Sequence, residues 1–245
     1  MFDLVYLYHS GFALCFDKFS VLIDYYEDSM GTQTGFVHDH LVKRPGPLYI
    51  LASHFHADHF SPEVFSLAEL KEDVRYVFSK DIYKRRRKWL PEDDIAFLSV
   101  GDEFADENLR IKAYDSTDCG VSFYLQAAGL KLFHAGDLNN WHWRDESTPE
   151  EAATAEKQYL TVLHKIQEEV PSLDVAMFPT DPRIGSDYLR GAEQFVSAIA
   201  CRYFVPMHFD AAYDKAAAFK DFAATHGSEF LTIEKRGQQW MLPGA

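Results

Sequence analysis

The segment His54-Phe55-His56-Ala57-Asp58-His59 constrains this chain most, because it places three imidazoles and a carboxylate within one short stretch. It follows the run Leu48-Tyr49-Ile50-Leu51-Ala52, whose short length and branched and aromatic side chains predict a buried strand. A loop at a strand end can direct several side chains toward one point, and imidazole nitrogen and carboxylate oxygen are ligands for zinc, iron and manganese. The segment therefore predicts a metal site, against the alternative of a polar surface loop.

Three more polar residues of interest stand where predicted strands end. Asp24 follows Val21-Leu22-Ile23, Asp137 lies in the turn Ala135-Gly136-Asp137, and His208 follows the strand predicted over 203–205.

The pattern of apolar residues predicts an α/β protein that forms one domain over residues 1–245. Strands are predicted over 3–8, 13–16 and 20–24 as an antiparallel meander, and Ser61-Pro62 predicts a helix that runs to about Glu72. The second half repeats strands and helices, with a long helix over 149–169, another over 212–225 and a closing hairpin of 230–234 with 239–242. Two such halves packed sheet to sheet, with helices outside, fit this order.

The net charge of −14 and the pI of about 5.1 argue against nucleic acid as a partner, since phosphate binding requires a basic face. The basic run 84–88 lies in a predicted helix and is interpreted as a solvated face. Three widely spaced cysteines favour a reducing compartment, and neither a signal peptide nor an apolar run long enough for a membrane span is expected. We therefore expect a cytoplasmic protein with a small-molecule substrate, and the sequence leaves its oligomeric state open, a homo-oligomer included.

The candidate ligands resemble those of the metallo-beta-lactamase superfamily, in the same order and over nearly the whole chain. The matching elements are Asp24 at a strand end, His54-x-His56-x-Asp58-His59, Gly136-Asp137 and Met207-His208. The resemblance implies a four-layer αββα sandwich with a site for two divalent metal ions at one edge. It assigns His54 and His56 to the first metal. It assigns Asp58, His59 and His208 to the second. It further implies that Asp137 bridges both metals and that Asp24 orients a histidine by a hydrogen bond.

The opening His9-Ser10-Gly11-Phe12 is similar to a subgroup of small metal-dependent hydrolases that includes ascorbate-phosphate lactonase-like proteins. Where the superfamily usually supplies one more histidine, before a strand, this chain reads Asp115-Ser116-Thr117-Asp118-Cys119-Gly120. Asp118 as a ligand would shift the preference toward manganese or iron, whereas Cys119 would favour zinc. Water at this position, a single bound metal, and an ordinary turn between two strands remain alternatives.

The expected activity is a metal-dependent hydrolase in which a metal-bound hydroxide attacks an ester, lactone or phosphoester bond, with zinc, manganese or iron as the metal. Asp58 is a candidate proton carrier, and His142 a candidate proton shuttle or ligand, against simple aromatic packing. Trp141 and Arg183 are candidates for substrate binding, and His9 is expected behind the ligands. For Arg183 the alternative is a salt bridge to Asp181 or Asp187. The rival hypotheses are an iron-dependent redox enzyme on the same fold and a non-catalytic metal-binding protein with a degraded first site.

Overall fold

The computed structural model describes residues 1–91 and 94–244, and its strands form two seven-stranded sheets. The strands of the first sheet are β1 (Phe2–Tyr8), β2 (Gly11–Cys15), β3 (Ser20–Ile23), β4 (Leu48–Ala52), β5 (Val74–Ser79), β6 (Ile95–Leu98) and β14 (Gln239–Leu242). The strands of the second sheet are β7 (Glu103–Ala105), β8 (Leu109–Tyr114), β9 (Ser122–Ala127), β10 (Leu130–His134), β11 (Ser172–Pro179), β12 (Ala200–Met207) and β13 (Glu229–Phe230).

Each sheet is half antiparallel and half parallel. The first sheet has the order β14-β1-β2-β3-β4-β5-β6, antiparallel from β14 to β3 and parallel from β3 to β6. The second has the order β13-β12-β11-β10-β9-β8-β7, antiparallel from β7 to β10 and parallel from β10 to β13. Apart from β14 and β1, the antiparallel strands follow one another along the chain through short connections, whereas the parallel strands need longer crossovers, which leave room for loops at the strand ends.

Helices cover the outer faces of the sheets. They are α1 (Phe36–Asp39), α2 (Lys80–Arg86), α3 (Pro149–Glu169), α4 (Arg190–Ala198), α5 (Tyr213–Ala217) and α6 (Lys220–Thr225). Helix α3 begins with a capping box, in which the hydroxyl of Thr148 accepts from the N–H of Glu151 and the carboxylate of Glu151 accepts from the N–H of Thr148. Short 3₁₀ segments occur at Leu41–Lys43, Pro62–Glu69, Arg87–Trp89 and Pro182–Ile184.

Alternation of side chains along the strands produces the layers. In β1, Leu4 and Tyr6 belong to the apolar core shared with the second sheet, whereas Val5 and Leu7 pack with the outer layer over the first sheet. The second sheet packs its far face against α3 and α4, through residues such as Tyr159. The resulting order of layers is helix, sheet, sheet, helix, as expected for an αββα sandwich.

Three element predictions need correction. The hairpin of 230–234 with 239–242 is wrong, because β13 pairs with β12 in the second sheet and β14 pairs with β1 in the first. The segment that Ser61 caps is a 3₁₀ helix over Pro62–Glu69 rather than an α-helix to Glu72. The helix predicted over 212–225 is divided into α5 and α6.

Of the helices in the described residues, none is both long enough and apolar enough to cross a membrane.

Candidate metal centre

The candidate ligands come together at one edge of the sandwich, where strands of both sheets end. His9 follows β1, Asp24 follows β3, and His208 follows β12. These three residues have φ values of 54°, 47° and 63°, and Asp210 has 50°. Non-glycine residues adopt this left-handed region rarely and at an energetic cost, and such strain is concentrated at functional sites. The backbone N–H of His208 donates to the carbonyl of His9 over 3.0 Å, which links the two sheets beside the site.

Two glycines let loops of the second sheet approach the loop that follows β4 in the first. Gly120 has φ +69°, and a Cβ there would lie 2.1 Å from the carbonyl oxygen of Ser53 and 2.4 Å from Cβ of His54. Gly136 has φ +54°, and its Cβ would lie 2.9 Å from Cβ of Ser53. Only glycine satisfies both the backbone conformation and the close approach.

Four histidines of the site have their Nδ1 atoms held by an oxygen. Three Nδ1 atoms lie within 2.9 Å of a carboxylate, in the pairs His59–Asp24 at 2.7 Å, His208–Asp181 at 2.9 Å and His9–Asp210 at 2.8 Å. Since a carboxylate only accepts, these Nδ1 atoms donate. The fourth, of His54, is 3.0 Å from the hydroxyl of Ser53, which donates its own hydrogen to Asp24. Each ring is thereby fixed with Nε2 directed toward the cluster.

The Nε2 atoms of these histidines face two carboxylates. Nε2 of His59 lies 3.1 Å from an oxygen of Asp137, and Nε2 of His54 and of His208 each lie 3.3 Å from one. Nε2 of His9 lies 3.3 Å from an oxygen of Asp58. Four of the buried atoms involved have no hydrogen-bond partner among the described residues, namely Nε2 of His9, His59 and His208 and Oδ1 of Asp137. Buried polar atoms are rarely left unsatisfied, so this convergence fits a bound cation.

The electrostatics of the cluster also favour a cation. Burial raises the pKa of Asp137, but the neighbouring His59 and His208 outweigh this effect and hold the pKa well below its usual value. Burial lowers the pKa of His59, but the carboxylates of Asp137 and Asp24 reverse the effect and raise it well above its usual value. The site therefore keeps a buried carboxylate ionised and stabilises positive charge beside it.

His56 and Asp118 occupy the exposed side of the cluster. Nδ1 of His56 lies 3.1 Å from Nε2 of His54 and 3.7 Å from Oδ2 of Asp118. Cys119 Sγ lies 3.8 Å from the same Nδ1 atom, and burial followed by the charge of Asp118 raises the pKa of this thiol. Ligand atoms of His54, His56, Asp118 and Cys119 all lie within 4.8 Å of one another. The geometry thus permits either Asp118 or Cys119 to replace the histidine that this chain lacks.

A cavity of about 310 Å³ opens onto the cluster. Its lining includes Trp141, Trp143 and Arg183, together with Asp137 and His208. The indole N–H of Trp141 donates to the carbonyl oxygen of Asp137 at 2.8 Å, and the ring of Trp141 stacks near that of Trp143, with 6.3 Å between centroids. The volume and the mixture of aromatic and charged side chains suit a small ligand.

Arg183 lies in this cavity, but most of its donors are already used. Its Nη2 and Nε atoms donate to the carboxylate of Asp181, which also accepts from His208. Burial raises the pKa of Asp181, whereas these hydrogen bonds from His208 and Arg183 lower it to about 2. About half of the Arg183 side chain is exposed, and Nη1 makes no hydrogen bond to the described part of the chain. Arg183 therefore both positions Asp181 and offers one face to the cavity.

His142 is not brought to the cluster. Its Nε2 lies 3.0 Å from the carbonyl oxygen of Asp187, and its Nδ1 accepts from the N–H of Arg144 at 3.0 Å. Both ring nitrogens contact backbone groups, and the ring is buried. This environment fits the alternative of aromatic packing better than the role of a proton shuttle or of a metal ligand.

Sequence reasoning missed three side chains that orient the ligands: Ser53, Asp181 and Asp210. Asp210 follows His208 by two positions, and Asp181 follows β11, the neighbour of β12. Their positions next to strand ends were the only signal available. His9, expected behind the ligands, lies among them, within 4.8 Å of ligand atoms of Asp58, His59 and His208.

Comparison with known proteins identified the fold. No protein-family model and no curated protein matched the chain. Among solved structures, Igni18, a metallo hydrolase from Ignicoccus hospitalis, matches with a TM-score of 0.67 at 15% identity and covers 99% of both chains. YhfI of Bacillus subtilis, described as a metallo-beta-lactamase fold protein, matches with a TM-score of 0.63 at 10% identity over 98% of this chain and 100% of its own.

A third match is CmlA, a diiron beta-hydroxylase from Streptomyces venezuelae. It has a TM-score of 0.66 at 14% identity, and the match covers 98% of this chain and 54% of CmlA. At such identities the likeness concerns the fold alone, and Igni18 and CmlA differ in their described activities. Together with the two sheets and their outer helices, the comparisons show that this chain has the metallo-beta-lactamase fold.

Proposed function

We propose that the protein is a metal-dependent hydrolase that cleaves an ester, lactone or phosphoester bond of a small molecule. The observation that carries the proposal is the convergence of imidazole Nε2 atoms on Asp137, with three buried Nε2 atoms and one carboxylate oxygen left unpartnered. Hydrogen bonds fix each of these rings from behind, as metal-ligating histidines require.

The residues would hold two divalent cations. His54 and His56 form the first position, and Asp58, His59 and His208 form the second. Asp137, which lies within 3.3 Å of His54 and His208, would contact both positions. Such a pair of cations supplies a nucleophilic water at neutral pH and polarises the bond that is attacked.

The remaining side chains have roles that follow from their positions. Asp58 is partly exposed, and its carboxylate can take a proton that is released within the site. Trp141 forms a rigid wall of the cavity because its indole N–H is fixed on Asp137, and Arg183 can donate from Nη1 to an acidic group of a substrate. Asp24 and Asp181 hold their histidines in the orientation that keeps Nε2 toward the metals.

The test combines metal analysis with a substrate panel. Protein purified without chelator would be assayed against an aryl ester, a γ-lactone and an aryl phosphodiester, and the lactone arm tests the ascorbate-phosphate lactonase-like subgroup in particular. We expect hydrolysis that is lost in Asp137→Asn and retained in His38→Ala, since His38 pairs with Asp28 away from the cluster. Bound metal without turnover of any member would instead favour a non-catalytic metal-binding protein.

A second candidate is an iron-dependent redox enzyme. It is favoured by the carboxylate of Asp118, which faces His56 where a histidine is usual, since oxygen-rich sites shift preference toward iron and manganese. CmlA, which shares the fold, is described as a diiron beta-hydroxylase. Iron as the bound metal, with a visible charge-transfer band, would support this candidate over a hydrolase.

The proposed setting is a reducing, cytoplasmic one with a small-molecule substrate. Cys15, Cys119 and Cys201 are all free thiols, two of them buried. The net charge of −14 continues to disfavour a nucleic-acid substrate.

A further inference from the structure

We propose that His9 is itself a metal ligand and that it closes the second metal position. The first position would then be the one that exchanges water and binds substrate. This inference rests on the metal binding invoked by the proposed function, but it assigns a residue and a division of labour that the proposed function leaves open.

The backbone presents His9 to the site at an energetic cost. His9 directly follows β1, has φ 54° and is 2% exposed. A histidine in this conformation is strained, and its carbonyl is fixed by the N–H of His208 at 3.0 Å. The ring of His9 lies 4.1 Å from that of His208 and 5.8 Å from that of His59, both between centroids. The ring is therefore packed among the ligands of the second position.

The orientation of the His9 ring matches that of the other ligands. Nδ1 donates to Asp210 at 2.8 Å, as Nδ1 of His59 does to Asp24 and Nδ1 of His208 does to Asp181. Asp210 also has a left-handed backbone, at φ 50°, and lies two residues after His208. The segment 208–210 thus supplies one ligand of the second position and the side chain that orients another.

Nε2 of His9 is buried and faces the carboxylate of Asp58. It lies 3.3 Å from Oδ2 of Asp58, and no group of the described residues meets the geometric criteria for a hydrogen bond to it. Because Nδ1 already donates to Asp210, a neutral ring turns the lone pair of Nε2 toward the carboxylate, an arrangement that a metal cation between the two atoms would stabilise. Ligand atoms of His9, Asp58, His59 and His208 all lie within 4.8 Å of one another, which a single ion can span.

The two positions differ in the exposure of their side chains. In the second position the imidazoles are at most 5% exposed and Asp58 is 37% exposed, and with Asp137 it would have five protein ligands. In the first position His54 is buried, whereas His56 is 42% exposed and Asp118 is 50% exposed. Structural metal sites are closed by protein ligands, whereas catalytic sites keep a position free for water or substrate. The second ion would hold the edge of the sandwich together, and the first would be the exchangeable one.

The test measures zinc binding by competition with a chelator. In the wild type we expect one tightly held and one readily removed zinc ion. His9→Ala should weaken the tight ion by more than about 100-fold, which exceeds the loss of about 10- to 100-fold typical of a residue that only orients a ligand. His9→Gln keeps the volume of the side chain and guards against loss of folding, which circular dichroism would report. The matched control is His38→Ala, which removes a histidine with the same Nδ1–carboxylate pairing outside the cluster.

A crystal structure of the zinc-loaded protein decides between a ligand and an orienting residue. We expect Nε2 of His9 at about 2.0–2.1 Å from the second zinc ion. A longer separation, or a tight ion that His9→Ala and His9→Gln leave unchanged, would overturn the inference. A wild type that binds no metal would overturn the proposed function as well, whereas bound metal without hydrolysis would leave the assignment of His9 intact.

Discussion

Substitution of Gly120 by alanine should damage the metal-binding edge far more than the same substitution at Gly101. Both glycines have left-handed backbones, with φ +69° and φ +88°. At Gly120 a Cβ would overlap the carbonyl oxygen of Ser53 at 2.1 Å, whereas at Gly101, chain neighbours aside, no atom of residues 1–91 and 94–244 would lie within 4 Å of it. The pair therefore separates the cost of backbone strain from the cost of the close approach between the two sheets.

The magnitudes follow from these contacts. Left-handed alanine costs about 1–2 kcal/mol at either position. At Gly120 the displaced neighbour is backbone, so overpacking adds about 1–3 kcal/mol. The hydrogen bond from the N–H of Val121 to the carbonyl of Ser53 is also disturbed, which costs about 0.5–1.5 kcal/mol. We expect Gly101→Ala to lower the free energy of unfolding by about 1–2 kcal/mol and Gly120→Ala by roughly 3–6 kcal/mol.

Guanidinium denaturation of the chelator-treated proteins measures both changes without a contribution from metal binding. The entropic gain of alanine in the unfolded chain is the same for both variants and cancels. Equal destabilisation by Gly120→Ala and Gly101→Ala would refute the account, because it would mean that the loop before β9 does not press against the metal-binding loop.

Three other perturbations test separate parts of the account. Asp24→Asn replaces a buried carboxylate that accepts hydrogen bonds from His59 and Ser53. We expect the free energy of unfolding to fall by roughly 3–5 kcal/mol and the zinc affinity to fall by about 10- to 100-fold. A change in unfolding free energy below about 1 kcal/mol would contradict this role of Asp24. Burial raises the pKa of Asp106, but hydrogen bonds from Tyr49 and the other donors outweigh this effect, and the pKa lies below its usual value. The ionised carboxylate therefore stabilises the fold fully above the unfolded-state pKa of about 3.9, and this stabilisation is lost as the pH falls. The stability difference between wild type and Asp106→Asn, from denaturation at several pH values, should therefore shrink below about pH 4, and a pH-independent difference would argue against it. Arg183→Gln should raise KM for acidic substrates more than for neutral ones, and equal effects would remove Arg183 from substrate binding.

The clustering of these polar side chains could be predicted in part from the sequence. His54, His56, Asp58 and His59 lie within six residues after an apolar strand, and Asp137 and His208 each follow another strand. The local pattern placed the side chains at strand ends, and the resemblance to a known superfamily predicted that the strand ends of both sheets meet at one edge. Their individual roles in metal binding stay a proposal.

Other features depended on contacts between distant parts of the chain. β13 and β14 both show strand-like sequences, but their partners, β12 and β1, lie in different sheets. The local sequence does not distinguish this arrangement from a hairpin of β13 with β14, and β13 is only two residues long. Asp210 orients His9 across 201 positions of sequence, and an aspartate after a strand is equally common in an ordinary turn. Local pattern carried no information about either pairing.

The most direct test of the central claim is the metal content per chain, by elemental analysis of wild type and Asp137→Ala purified without chelator. The account predicts two equivalents of zinc, manganese or iron in the wild type. It predicts a clear fall in the variant, because Asp137 lies within 3.3 Å of Nε2 of His54, His59 and His208. A wild type without metal, or a variant that keeps the full content, would contradict it.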